Sequence, residues 1–442
     1  SVCASSVAPH VRCLRRVGFC RWGAAAPANR LLATAARFYH VFALAATSTY
    51  VLQQLIYAYQ ASPFIIFDAS KLVLLCSELH FPWQERNDMD KLSQVMFVLL
   101  CHVTCVAKQV AFHVDAGRID QLIARLDEPL LNQCGGGPRG ALLHGTARRA
   151  ARLLRVYSGC AVATCVLWIV FPVLYRIRGI AFEFPFWAGI SYDHNLVFGA
   201  VLLYSFYTTN LVAIGNTTMD AFMATILDQC KTQLRILRMN FETLPERARA
   251  LQRAGGGAYD ASLQRLFVDC LLHYNIITDT CTILHDVFAL PLLIQFGVGG
   301  WILCMAAYKI VSVSIALSHH TAWDTAEAHS CSCISFWLQL NVLSIEFAST
   351  TLFIICILIE LFIFCYYGNE VTVESSRVSE SLYSMEWARA GTAFRRSLVL
   401  VMERAKRPLR PAAGRVIPLS LDTYVTILKS SYSFYAVLRQ TK

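Results

Sequence analysis

Apolar blocks of about twenty residues recur along this chain, separated by stretches many of which are rich in arginine, and a block of that length is what an α-helix needs to cross a hydrocarbon core. Inside such a core every backbone N–H and C=O must find its partner within the chain, which leaves little besides helices and closed barrels. The chain therefore reads as an all-α membrane protein. Its composition agrees: of 442 residues, 56% are hydrophobic and 15% charged, against roughly 25% charged in an average soluble domain. A soluble globule of this size needs more polar surface than that, so cytosolic enzyme classes are disfavoured at once.

Seven blocks qualify as spans: Phe38–Gln60, Leu92–His113, Arg155–Arg176, Asn195–Gly215, Asp286–Ile310, Ser344–Tyr367 and Pro418–Leu438. The intervening segments then run 1–37, 61–91, 114–154, 177–194, 216–285, 311–343, 368–417 and 439–442. Cytoplasmic loops carry an excess of Lys and Arg. Here the basic residues collect in segments 1–37 (Arg12, Arg15, Arg16, Arg21, Arg30, Arg37), 114–154, 216–285 and 368–417, whereas Val311–Asn341 contains none. That pattern predicts a cytoplasmic N-terminus and an extracellular C-terminus, the reverse of a G-protein-coupled receptor. The net charge of +10 thus reads as a sidedness signal and not as a nucleic-acid patch, because no continuous basic domain is present.

Phe64–Phe81 is the block that competes with this count. It carries Asp68, Lys71 and Glu78, each costing about 2.5–3.5 kcal/mol at a helix centre, so it reads as an extracellular or interfacial helix. The acid-free, Arg-rich start has the composition of a mitochondrial transit peptide, but basic text also fills the other cytoplasmic segments, and a basic tail is the simpler reading. Two cytoplasmic stretches have helical apolar spacing, Arg118–Leu131 with Ile119, Leu122, Ile123 and Leu126, and Asp228–Leu244 with Leu234, Leu237 and Phe241. They predict that spans continue beyond the membrane as amphipathic helices that pack together. Gly135–Gly137 and Gly255–Gly257 read as connections and not as phosphate loops, since no Lys-Ser/Thr follows.

Catalytic signatures are absent: no Gly-x-Ser-x-Gly elbow, no His-Glu-x-x-His pair and no dinucleotide fingerprint. Nothing calls for a cofactor. His319, His320 and His329 lie near Cys331 and Cys333, but the spacing fits no zinc pattern, and a disulfide from that external loop is the better use of its cysteines. Many of the seventeen cysteines, Cys101, Cys105, Cys160, Cys165, Cys304, Cys356 and Cys365 among them, fall inside apolar runs as small hydrophobes. Intramembrane acids are expensive and usually functional, and Glu346 and Glu360 stand in the sixth span. A transporter would place such a group beside a broken helix; the sixth span has no internal Gly or Pro, so Glu360 is expected to make a helix–helix contact.

The C-terminal third carries a specific pattern. Leu358–Trp387 reads LIELFIFCYYGNEVTVESSRVSESLYSMEW, and Pro418–Lys442 reads PLSLDTYVTILKSSYSFYAVLRQTK. Together with VDCLLHYNIITD at Val268–Asp279 and DKLSQVMFVLLCHVTCVAKQVAF at the second span, this text resembles the insect odorant receptors. The resemblance is close over about residues 265–442 and rests on topology and hydropathy before that. It implies a tetrameric, odorant-gated, non-selective cation channel with a central pore lined by the seventh span, sitting in the plasma membrane of sensory dendrites of olfactory neurons. Its partners would be volatile odorants, permeant cations, membrane lipids and either a shared co-receptor subunit or further copies of itself. The long insertion of the co-receptor between the fourth and fifth spans is missing, so the chain resembles an odorant-selecting subunit.

By the same resemblance the terminal frame Phe434–Lys442 places the hydrophobic gate at Val437 and the polar residue of the ion path at Gln440, with Thr441 where the co-receptor has Leu. A ring of apolar side chains can close a pore by dewetting. The family's ligand pocket lies in the outer half of the second, third, fourth and sixth spans, which at matching depth brings in Val98, Cys101, His102, Thr164, Trp168, Tyr204, Thr208, Phe347, Thr350 and Ile354. An apolar cavity with one or two polar handles suits a volatile ligand. Two other readings remain: a gustatory receptor, whose last span opens as Thr423–Tyr424 does but continues to a Gln-Phe that is missing here, and a secondary transporter.

Overall fold

A computed structural model describes residues 1–20, 30–61, 86–133, 137–177, 184, 186, 194–255, 258–324, 333–388 and 390–440. Twelve helices can be followed among them: α1 (Val2–Arg16), α2 (Arg30–Ala61), α3 (Arg86–Val114), α4 (Ala116–Arg125), α5 (Pro138–Ile177), α6 (Asn195–Glu242), α7 (Leu244–Arg253), α8 (Tyr259–Asp324), α9 (Cys333–Ser376), α10 (Val378–Ser384), α11 (Thr392–Ala405) and α12 (Leu421–Gln440). A two-stranded hairpin, β1 (Ala412–Ala413) and β2 (Ile417–Pro418), joins α11 to α12.

Six of the seven apolar blocks fall each within one helix, and the seventh, Pro418–Leu438, starts in β2 and enters α12 at Leu421. By length and apolarity, five helices among the described residues are able to cross a membrane, and a sixth is added if Val98–Val114 is joined to α4 across a 75° bend. α12 is not among them, because Lys429 and a run of Ser and Tyr dilute its apolar text. The segment Phe64–Phe81 and the loop with His329, Cys331 and its neighbours lie outside the described residues, as do the side chains of His319, His320, Cys333 and Glu346.

Several helices are much longer than a bilayer requires. α8 has 66 residues and α6 has 48, roughly 100 and 70 Å at 1.5 Å per residue. Both run from the predicted spans into the segments expected to be amphipathic, and there they pack together. The distal half of α6 is the centre of this anchor bundle. From Thr217 to Cys230 every residue is buried, enclosed by α1, α5, α8, α9 and α10. A helix buried on all sides usually consists of apolar residues; this one retains polar groups and satisfies them with distant partners. Arg149 Nε and Lys231 Nζ donate to Asp228 at 3.1 and 2.7 Å. Gln229 donates to Ser6 Oγ at 2.8 Å, and Gln233 donates to the Leu131 carbonyl at 2.8 Å.

The basic N-terminal segment, expected as a tail, contains a packed helix. Ser1 caps α1 by accepting from the Ala4 N–H, Arg15 and Arg16 occupy the last turn, where they complement the helix dipole, and Cys3, Val7 and Leu14 are fully buried against α5 and α6.

The conspicuous C-terminal text now has physical content. An added Cβ on Gly368 would lie 2.4 Å from Leu419 Cβ, so glycine is what lets α9 approach the residues leading into α12. Glu374 accepts from Arg238 at 2.7 Å, Ser375 Oγ accepts the Leu409 N–H at 2.9 Å, and Trp387 donates to the Tyr383 carbonyl at 3.1 Å. Gly414 takes φ +60° in the hairpin turn, a conformation glycine adopts without penalty, and its N–H donates to the Ala289 carbonyl of α8 at 2.8 Å.

Candidate ligand cavity and its charged floor

A cavity of about 90 Å³ opens between α3, α5, α6 and α9. Each helix contributes one stripe at three- and four-residue spacing: Val98, Cys101 and His102 from α3, Tyr157, Ala161, Thr164, Cys165 and Trp168 from α5, Thr209, Val212, Ala213, Asn216 and Thr217 from α6, and Phe353, Cys356, Ile357 and Glu360 from α9. The rings of Trp168 and Phe353 stand 5.6 Å apart. His102 Nδ1 donates to the Val98 carbonyl at 2.7 Å, which fixes its ring against Tyr50, 5.2 Å away and edge-on.

Of the ten residues expected to form a pocket, Val98, Cys101, His102, Thr164 and Trp168 line this cavity. Tyr204 and Thr208 do not. Tyr204 donates to Gln53 Oε1 at 2.9 Å and stacks edge-on with Tyr50, while Thr208 returns its hydroxyl to the Tyr204 carbonyl at 2.8 Å. On α9, Phe347 is partly exposed, Thr350 is buried outside the lining, and Ile354 packs on the cluster of Val98, Phe353 and Ile357. Five of the ten therefore share this cavity; the other five stand at similar depth but face elsewhere, because adjacent residues on a helix point about 100° apart.

The floor is ionic, and sequence reasoning named only one of its members. Lys108 of α3 is fully buried, with its Nζ 2.5 Å from Asp220 Oδ1 and 2.9 Å from Glu360 Oε1, and it also donates to Asn216 Oδ1 at 2.9 Å. Glu360 Oε1 accepts from Asn216 Nδ2 at 3.2 Å and from Gln295 Nε2 at 2.8 Å. Four helices, α3, α6, α8 and α9, therefore meet at one carboxylate. The helix contact expected for Glu360 is present, with α3, α6 and α8 as its partners. The missed signal was Lys108 itself, a single cation deep in an apolar block, which by cost alone demands a partner.

The gate residues expected from the terminal frame fall at the end of α12. The side chains of Val437 and Gln440 lie outside the described residues, and so does Thr441. Further back, Ser431 Oγ donates to the Gly300 carbonyl of α8 at 3.0 Å. Tyr424, Ile427 and Leu428 pack on a cluster formed by Val98, Ile302, Phe353, Ile357 and Leu361.

The "7tm Odorant receptor" family profile matches residues 88–320 and 330–432. The chain belongs to the odorant receptor family. Odorant receptor Or1 of Anopheles gambiae is 20% identical over 377 residues, 83% of this chain and 85% of that one. Odorant receptor 2a of Drosophila melanogaster is 22% identical over 264 residues, 59% of each chain, so the match spans little more than half of that relative. The fold resembles the olfactory receptor OR5 of Machilis hrabei in complex with eugenol, with a TM-score of 0.71 and 14% identity over 99% of this chain and 98% of that one.

Proposed function

We propose that this odorant receptor is the odorant-selecting subunit of a ligand-gated, non-selective cation channel in the plasma membrane of an olfactory neuron. In this reading seven spans cross the membrane with the N-terminus cytoplasmic and the C-terminus extracellular, and four subunits, copies of this chain or copies with a co-receptor, surround one pore. α12 lines that pore, with Val437 as the hydrophobic gate and Gln440 and Thr441 on the ion path. The cavity between α3, α5, α6 and α9 takes the odorant.

One observation carries the reading. The apolar cluster that walls the cavity through Val98, Phe353 and Ile357 is the same cluster on which Tyr424, Ile427 and Leu428 of α12 rest, so a change in the cavity reaches the last helix through packed side chains. The cavity is smaller than the ~150 Å³ that holds benzene. An odorant larger than that must part the four helices, and the energy available to move α12 is its differential affinity for the parted and closed arrangements. The exposed side chains of α12, Val425 and Tyr432 on one face and Phe434 near the opposite one, are then the surfaces that meet the pore and the neighbouring subunits.

The test is to express the chain alone and with a co-receptor, confirm surface delivery, and record currents during odorant application. A cation current gated by odorant in either case is expected, with Val437→Ala raising the basal current. Surface-delivered protein that passes no current in both cases defeats the proposal.

A further inference from the structure

The floor of the cavity holds an imbalance. Two carboxyl groups, Asp220 and Glu360, meet one ammonium, Lys108. The three hydrogen-bond donors on Glu360 come from Lys108, Asn216 and Gln295, and all three converge on Oε1. Oε2 keeps its capacity to accept, on a side chain that lines the cavity. Asp220 Oδ2 is buried without a hydrogen-bond partner. Above this floor the walls carry three aromatic rings, Tyr157, Trp168 and Phe353, and aromatic faces attract cations. A carboxylate below and π-faces around are the two elements that recognise an ammonium group; the apolar remainder, Val98, Ala161 and Ile357, suits a short hydrocarbon tail.

We propose that this cavity selects small aliphatic amines, bound as ammonium ions whose N–H groups donate to Glu360 while the tail packs among the rings. The inference rests on the reading of the cavity as the odorant site. A simple amine is protonated in neutral water, so it arrives with its charge and no proton need move. An alcohol of the same skeleton fills the same volume and can donate one hydrogen bond, but brings no charge. The difference between the two therefore isolates the ionic contribution. Hydrogen bonds to ionised groups are about twice as strong as neutral ones.

The experiment uses the full chain, purified in nanodiscs, with n-butylamine and n-butanol as probes and the rise in melting temperature as the readout of binding, so that it does not depend on gating. n-Butylamine is expected to stabilise the protein at a concentration at least about tenfold lower than n-butanol. Glu360→Gln should bring the two concentrations together, and Trp168→Ala should raise both. Equal concentrations for the two probes on the unaltered chain overturn the proposal, as does an amine preference that survives Glu360→Gln. Should the Gln variant fail to fold, Asn216→Asp replaces it: the new carboxylate still accepts from Lys108 and adds negative charge beside the guest, so the amine preference must grow, and an unchanged ratio overturns the proposal. Butanol binding that depends on Trp168 without any amine advantage leaves the odorant site standing and removes only the amine selectivity. If neither probe, nor a wider odorant panel, stabilises the chain, the odorant-site reading fails and the selectivity falls with it.

Discussion

The two halves of α6 live in different worlds. Its first half, from Asn195 to about Gly215, shows one stripe to the cavity and another to the Tyr50 cluster, with Leu196 and Leu203 exposed. Its second half is buried on every side from Thr217 to Cys230 and holds Asp228, Gln229 and Gln233 in bonds to residues at least 40 positions away. One continuous helix therefore joins a region built from loose apolar stripes, where side chains can be exchanged with small structural effect, to a region whose polar pairs tolerate little. In the proposed reading, ligand choice belongs to the first and assembly and coupling to the second. The ionic knot at Lys108 marks the border.

The sharpest way to break this contrast is a pair of glycine substitutions. Gly368→Val drives a branched side chain into Leu419, whose Cβ and carbonyl oxygen would lie 2.4 and 2.7 Å from the new Cβ. Overpacking against backbone cannot be relieved by a rotamer change; the yield of folded protein, read by fluorescence-detected size exclusion, should fall roughly tenfold or more. Gly199→Ala, in the first half of α6 with nothing within 4 Å of the added atom, should leave the yield unchanged. Equal tolerance at both sites would erase the distinction between the two regions that α6 joins.

Next in size is the border itself. Lys108→Met leaves Asp220 and Glu360 buried without their cation, and breaking a buried pair in this way destabilises by about 3–5 kcal/mol. The triple change Lys108→Met, Asp220→Asn, Glu360→Gln removes the charges together and should recover most of that loss, as followed by thermal unfolding in nanodiscs. If the single change is as stable as the native chain, the knot contributes nothing to the junction. A smaller effect is expected at Glu374, which accepts from Arg238 between α9 and α6. Glu374→Ala should cost about 1.5–3 kcal/mol, the range for hydrogen bonds to charged groups, and should leave odorant preference untouched.

How much of this was legible in the sequence follows from the same division. The helices that cross apolar text were readable because hydropathy is local, and so were the continuations into α4 and the end of α6, whose leucines keep helical spacing. What hydropathy could not reveal was that the end of α6 is enclosed rather than amphipathic, since Asp228, Gln229 and Gln233 look like a solvated face until Arg149, Ser6 and His273 are brought beside them. α1 was hidden for the same reason: its arginines dominate the composition, while Cys3, Val7 and Leu14 supply the buried stripe. At the cavity, depth could be estimated from span boundaries, which brought in Trp168 and His102, but the facing of each stripe could not, and so Tyr157 and Asn216 were missed while Tyr204 was included.

The smallest expected effect tests whether α1 belongs to the anchor bundle or merely rests on it. His10 is buried in α1 beside Thr225 of α6, whose hydroxyl lies 3.3 Å from its Nε2. Burial lowers its pKa from 6.5 to about 4, because the charged imidazolium would lose its hydration there. Between those two values the unfolded chain binds more protons than the folded one, so stability rises with pH in that window and is lost as pH falls. The native fold should hold its full stability above pH 6.5 and surrender on the order of 3 kcal/mol at most by pH 4. His10→Gln, which cannot take up a proton, should flatten that part of the profile while the carboxylates' own acid response remains below it. A native profile already flat between pH 6.5 and 4 would mean that α1 detaches before its histidine titrates, and that the anchor bundle is built from α5, α6, α8, α9 and α10 without it.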